Sequence, residues 1–219
     1  MGIDIGGTTV KIGQFDLNGE LLYKWEIRTD KVDHGKHIAR DIYLSIKERI
    51  SDISEIQGYG FGVPGPVRED VAKVCVNLGW VNYDLKNAFK DFVENDNIHI
   101  GNDANVAALG EAFYGAAKGF SNMAMITLGT GVGGGFVLGG NIFDGDSGNA
   151  GEIGHLAIPN SYNFQCNCGK KGCLETIASA TGIKNIYHEL KYKTQEPSIL
   201  DNYIEPSAKL IVDCAKKGD

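Results

Sequence analysis

Four residues of one short stretch, His155, Cys166, Cys168 and Cys173, combine three soft thiols with an imidazole and lie close enough in sequence to meet. One residue separates Cys166 from Cys168, Cys173 follows, and Gly169 and Gly172 lie between. Three thiolates and one imidazole complete a tetrahedral zinc shell with no position left for water, so such a metal is structural. The glycines permit the tight backbone that wraps several ligands around one ion. The competing reading is buried thiols, or a disulfide with one cysteine left over, although Cys166 and Cys168 are too close for an unstrained mutual bridge. Two carboxylates, Glu152 and Glu175, bracket the cluster, and a metal loop would hold them in place.

Two glycine-threonine stretches offer a second kind of chemistry. Gly6-Gly7-Thr8-Thr9 precedes Lys11 and follows Asp4; its backbone N–H groups and hydroxyls suit a phosphate cradle. The competing reading is an ordinary glycine hairpin. It is not a Walker loop, because no Gly-Lys-[Ser/Thr] opens a helix after it. A carboxylate at the end of an apolar strand, as Asp4 is, can hold magnesium through water. Gly129-Thr130-Gly131-Val132-Gly133-Gly134 matches the dinucleotide fingerprint formally, but Gly135-Phe136-Val137-Leu138 reads as strand where that fingerprint needs a helix. It is therefore a second phosphate hairpin. Between the two lies Asn102-Asp103, at the carboxyl end of the strand Ile98–Ile100, where an α/β protein places ligand-contacting side chains. Asp103 reads both as a helix N-cap and as a reacting carboxylate.

The elements that must position these groups follow from periodicity. Residues 3–29 form an antiparallel meander of three strands, with Asn18-Gly19 as a two-residue hairpin signal. Ile38, Ile42, Ile46 and Ile50 recur every four residues, which predicts an amphipathic helix from His37 to about Ile53. Ile56–Val63 is a buried strand ending in the rigid turn Pro64-Gly65-Pro66. Asp84 caps a helix through about Glu94, with Ala88, Phe89, Phe92 and Val93 inward. A further helix begins after Asn105 and buries Val106, Leu109, Ala112 and Phe113; Met123–Leu128 and Gly135–Leu138 are strands.

Composition narrows the function classes. The chain has 219 residues and a net charge of −7, which argues against nucleic acid or anionic membrane as main partners. The nearest thing to a membrane span, Met123–Gly140, is uncharged over eighteen residues but holds seven glycines and reads poorly as a lipid-facing helix. Five cysteines, three of them clustered, and the early charge of Asp4 point to a reducing cytosol.

Two glycine-threonine hairpins, each opening one half of the chain, with Asn102-Asp103 between them, resemble the actin-like ATPase superfamily. The signature Cys166-x-Cys168-Gly169-x-x-Gly172-Cys173-x-Glu175, with Gly151-Glu152-x-Gly154-His155, is similar to that of the ROK family of repressors and sugar kinases, nearest its glucokinase-type members. The resemblance implies an α/β, two-domain actin-like ATPase (ribonuclease H-like) fold, with a small domain over 1–104 and a larger one over 105–219. It implies ATP-dependent phosphorylation of a hexose at its 6-hydroxyl, with Asp103 as general base. Gly65, Asn77, Asn102, Asp103, Glu152, His155 and Glu175 match sugar-binding positions. Asp4, Gly6, Gly7, Thr8, Thr9 and Lys11 match the first phosphate motif, and Gly129, Thr130, Gly131, Gly133 and Gly134 the second. His155, Cys166, Cys168 and Cys173 match zinc ligands. The implied cofactors are ATP, Mg2+ and structural Zn2+, and the implied assembly is a homodimer. In the family, the helix end that Cys214–Asp219 resembles is followed by further helices and a glycine turn that grips adenosine. The expectation is thus an incomplete second domain, no adenosine subsite, and reduced stability or reliance on oligomerisation. A sugar-responsive repressor, or a sugar-binding protein without turnover, is the alternative; a repressor carries its DNA-binding module ahead of the first phosphate motif.

Overall fold

The computed structural model describes residues 1–159, 161–194 and 196–219. It divides into two compact units, residues 1–123 with 135–149 and residues 124–134 with 150–219. The boundary expected at 104/105 falls inside the first unit.

In the first unit the apolar-polar alternation of residues 2–28 produces three strands, β1 (Gly2–Ile5), β2 (Thr9–Phe15) and β3 (Leu21–Arg28), paired antiparallel as the meander requires. The β2–β3 turn is longer than the two residues expected. Asp16 accepts from the N–H of Asn18 and of Glu20, so an aspartate-built loop replaces the tight hairpin. Helix α1 spans Ile38–Arg49 and buries Ile38, Ile42 and Ile46 as the four-residue spacing dictates. It stops short of Ile53: Ile50 is extended, and Asp52 accepts from Ser54 N–H, a local bond that competes with continued helix.

Strand β4 (Tyr59–Val63) begins after Ile56 and pairs parallel with β1. Strands β5 (Val67–Arg68), β6 (Val71–Cys75) and β7 (Trp80–Tyr83) form a small antiparallel sheet. Asp84 caps helix α2 (Leu85–Lys90) through Asn87 N–H at 3.0 Å; the helix ends before Glu94, yet Phe89 and Val93 are buried as expected. Strand β8 (Ile98–Asn102) pairs parallel with β4, giving the five-stranded order β3-β2-β1-β4-β8. The core of this unit joins Ile3, Ile5, Val10 and Ile12 of the sheet to the α1 isoleucines, Phe61 and Phe89. Each such side chain contributes about 1.5–3 kcal/mol by burial.

Helix α3 (Asp103–Tyr114) follows β8 without a loop. Its buried residues are Asn105 and Ala108, and Phe113 is exposed, which corrects the face expected from periodicity. An alanine-rich helix with small residues on two sides carries a weak apolar stripe, so neighbours decide its orientation. Strand β9 covers Met123–Leu128, and β10 (Val132–Leu138) starts three residues earlier than expected and pairs with β11 (Asn141–Ile142). In the second unit, α4 (Glu175–Ala178), α5 (Ala180–Thr194) and α6 (Ala208–Ala215) follow the cysteine loop, and Leu200, Ile211 and Cys214 form its buried cluster. No helix among the described residues is long and apolar enough to cross a membrane.

Candidate active site

Three parallel strands of the first unit, β1, β4 and β8, run to the same edge of the sheet. Asp4 sits opposite Gly62, Gly62 opposite Gly101, and Val63 opposite Asn102. The first glycine turn, the Pro64-Gly65-Pro66 turn and Asp103 therefore all leave the sheet at one edge. At a strand spacing of about 4.8 Å, three strands bring them within roughly 10 Å of one another. The edge beyond the carboxyl ends of parallel strands is where α/β sheets bind ligands.

The first glycine turn is held by Thr29, a buried residue that sequence reasoning passed over. Its Oγ1 donates to the Gly6 carbonyl at 2.7 Å, its N–H to the Thr8 carbonyl at 2.9 Å, and Gly6 N–H closes the turn on Thr9 at 3.0 Å. Asn77 lies against Gly7. Lys11 Nζ stands 3.4 Å from Asp4 Oδ2, both side chains more than half exposed, a pair worth little to stability.

The helix cap is Asn102 rather than Asp103. Asn102 Oδ1 accepts from Ala104 N–H at 3.0 Å and Asn105 N–H at 3.1 Å, and its Nδ2 donates to the Gly65 carbonyl at 3.2 Å. Asp103, the first helical residue, accepts the N–H of the adjacent Ala104 at 2.8 Å. Gly65 has φ +149°, and a Cβ there would lie 2.4 Å from the Val74 carbonyl, so no other residue fits this turn. Burial, and secondly the charge of Asp103, push the thiol of Cys75 up to about 11. Asn105 was also unforeseen: it is 4% exposed, its Nδ2 donates to Asp144, and its Oδ1 is the one buried side-chain oxygen without a partner among the described residues.

In the second unit the four soft ligands converge, with one ligand atom from each of His155, Cys166, Cys168 and Cys173 within 4.8 Å of the others. Cys168 Sγ and Cys173 Sγ are 3.6 Å apart, as are Cys166 Sγ and His155 Nδ1. Ligands at about 2.3 Å (S) and 2.0 Å (N) from a tetrahedral zinc lie about 3.5–3.8 Å from one another, so the donor set fits that ion. All five cysteines are unbridged, which sets aside the disulfide reading. The loop holds its shape through backbone bonds, Cys166 N–H to Lys170 at 2.8 Å, Gly169 N–H to Cys166 at 3.0 Å and Ile158 N–H to Gly172 at 3.0 Å. Burial, then the bond to Glu175, pushes the Cys166 thiol far above its ordinary value, whereas the Lys170 backbone N–H holds Cys168 below it.

The two bracketing carboxylates flank the imidazole. Glu152 Oε2 is 3.6 Å from His155 Nε2. Glu175 Oε1 is 3.7 Å from His155 Nδ1 and accepts from Cys166 Sγ at 3.0 Å. Thus Nδ1 faces the thiols, and Nε2 faces away from them toward Glu152. The second glycine hairpin closes through Gly129 N–H on the Gly131 carbonyl at 3.0 Å. A Cβ on Gly131 would lie 2.7 Å from Glu175 Oε2, so a side chain there would push the end of the Glu175 side chain aside. The structure thus groups Gly65, Asn102 and Asp103, with the first hairpin and Asn77, in one unit, and Glu152, His155, Glu175, the cysteines and Gly129–Gly134 in the other.

The model of the ROK family matches residues 1–218. The chain is 44% identical over 209 residues to a glucokinase of Halalkalibacterium halodurans, covering 93% of this chain and 63% of that protein. Among solved structures, a ROK family glucokinase from Streptomyces griseus in complex with glucose and AMPPNP matches with TM-score 0.77 at 29% identity, covering 100% of this chain and 71% of that one. A ROK family transcriptional regulator matches with TM-score 0.85 at 26% identity, over 99% of this chain and 55% of that one.

Proposed function

The chain belongs to the ROK family and has its mixed α/β actin-like ATPase fold, and from that premise we propose that it works in an ATP-dependent hexose kinase, glucokinase-like, that phosphorylates the sugar 6-hydroxyl. The observation that carries this reading is the shared sheet edge, where the first glycine turn, Gly65 and Asp103 follow three parallel strands in register. Sugar hydroxyls pair with groups that accept and donate in one plane, and Asn77, Glu152, Glu175 and the Nε2 of His155 supply these. Asn102 contributes by fixing the Gly65 carbonyl and the start of α3 rather than by a spare amide. Asp103 orients the 6-hydroxyl and accepts its proton as the phosphoryl group transfers; through a loose transition state an ordinary carboxylate suffices for that.

The N–H groups and hydroxyls of Gly6–Thr9 and Gly129–Gly134, with Lys11, offset the phosphate charge. Mg2+ bound with the nucleotide would neutralise further phosphate charge, and Asp4 would hold it through water. Zn2+ in the His155, Cys166, Cys168 and Cys173 shell would serve structurally, keeping Nε2 of His155 and the Glu175 carboxylate toward the sugar. A cytoplasmic homodimer is the proposed setting. The alternative, a sugar-responsive regulator, draws on the likeness to the ROK transcriptional regulator, and a sugar-binding protein without turnover remains the third reading.

ADP release over a panel of hexoses and N-acetylhexosamines, with Asp103→Ala as control, decides among them. Sugar-dependent release abolished in the variant is the expected outcome. Sugar binding with no release above the variant would refute kinase activity in this chain and favour the regulator.

A further inference from the structure

The second glycine hairpin is seated on the corner between α4 and α5. Ala180 N–H donates to the Gly129 carbonyl and Thr181 Oγ1 to the Thr130 carbonyl, both at 2.9 Å. Glu175 Oε2 packs against Gly131 from the same corner. The corner is firm, because Ser179 is buried and its Oγ accepts Gly182 N–H at 3.0 Å.

In a trans peptide, the carbonyl of one residue and the N–H of the next point in opposite directions. Drawing the Gly129 and Thr130 carbonyls onto α5 therefore turns the N–H groups of Thr130 and Gly131 to the other side of the loop. A carbonyl aimed at a phosphate repels it, whereas successive N–H groups form an anion-binding concavity. Left untied, a glycine-flanked peptide can flip at little steric cost and present the wrong pole.

We infer that Thr181 is a positioning residue for the nucleotide: its hydroxyl locks the 130–131 peptide plane so that Gly131 N–H faces the phosphates. The inference rests on the proposed function, since it takes Gly129–Gly134 as a phosphate cradle. Thr181 itself is exposed, so replacing it with the isosteric valine removes the hydrogen bond with little loss of packing.

Calorimetric titration of the full chain with MgATP, and separately with glucose, tests this in the wild type, Thr181→Val and Thr181→Ser. The expected result is a Kd for MgATP raised about three- to tenfold in the valine variant, the worth of one hydrogen bond. Serine should restore it, and the Kd for glucose should not move. Equal MgATP affinity in wild type and Thr181→Val overturns the inference. So does equal weakening by valine and serine, or a parallel loss of glucose affinity, either of which would mark a packing defect. Wild-type protein that binds glucose but no MgATP overturns the proposed kinase reading itself, and this inference with it.

Discussion

Replacing Asn102 should cost more stability than replacing Asp103, although Asp103 is the residue the chemistry singles out. Asn102 caps α3 through two backbone N–H groups and braces the Gly65 carbonyl, three bonds from one side chain. Loss of an N-cap costs about 1 kcal/mol, and loss of the brace about another 1 kcal/mol, so Asn102→Ala is expected to destabilise the first unit by about 2 kcal/mol. Asn102→Asp keeps an accepting oxygen at the helix start and loses only the brace, at about 1 kcal/mol. Asp103→Asn removes a charge from the first helical position, worth about 0.3–1 kcal/mol. Because a chain of two units need not melt in one step, the assay is native-state hydrogen exchange of α3, with urea unfolding alongside. Protection of the Ala104 and Asn105 amides should fall roughly thirtyfold in Asn102→Ala and at most about fivefold in Asp103→Asn. An Asp103→Asn effect equal to or above that of Asn102→Ala would refute the assignment of the cap and with it the division of labour between the two residues.

Three further outcomes follow from the geometry. Purified protein should hold about one zinc per chain by atomic emission, and Cys168→Ser should lower that content and weaken glucose binding more than MgATP binding; unchanged zinc would refute the ligand set. Gly131→Ala places a methyl 2.7 Å from Glu175 Oε2 and should displace that carboxylate at little cost to stability while weakening sugar affinity in a titration; wild-type affinity would show that Glu175 does not need this close approach. Asp70 pairs with Lys86 at 2.6 Å. Burial raises its carboxyl, but Lys86 and the Ile100 N–H outweigh that and leave it below its ordinary 3.8. A depressed value stabilises the fold above about pH 4 and is lost as pH falls through the folded value. Asp70→Asn should therefore lower stability at pH 7 by about 1 kcal/mol, after allowance for solvent screening, and flatten the acid limb of the stability curve below pH 4.

The cysteine cluster was legible because metal chemistry needs particular residue types at short spacing, and local turns at Gly169 and Gly172 can satisfy that without help from the rest of the chain. The isoleucines of α1 and the cap at Asp84 were legible for the same reason, each being a pattern within one element. The end of α1 was not, since the Asp52 turn competes with helix by a single side-chain bond. Neither was the buried face of α3, where Asn105 and Ala108 turn inward and Phe113 outward.

By itself the sequence determined the Cys/His cluster of four, the two glycine turns and the strand-end position of Asp103, because these depend on residue type and on neighbours a few positions away. Tertiary structure alone decided how they are held. Thr29 ties the first turn from 23 residues away, Asn102 reaches 37 residues back to Gly65, and Thr181 reaches 51 residues back to Thr130. Such bonds join residues that carry no mutual spacing signal, and only the packed chain brings a hydroxyl or an amide opposite the carbonyl it must orient.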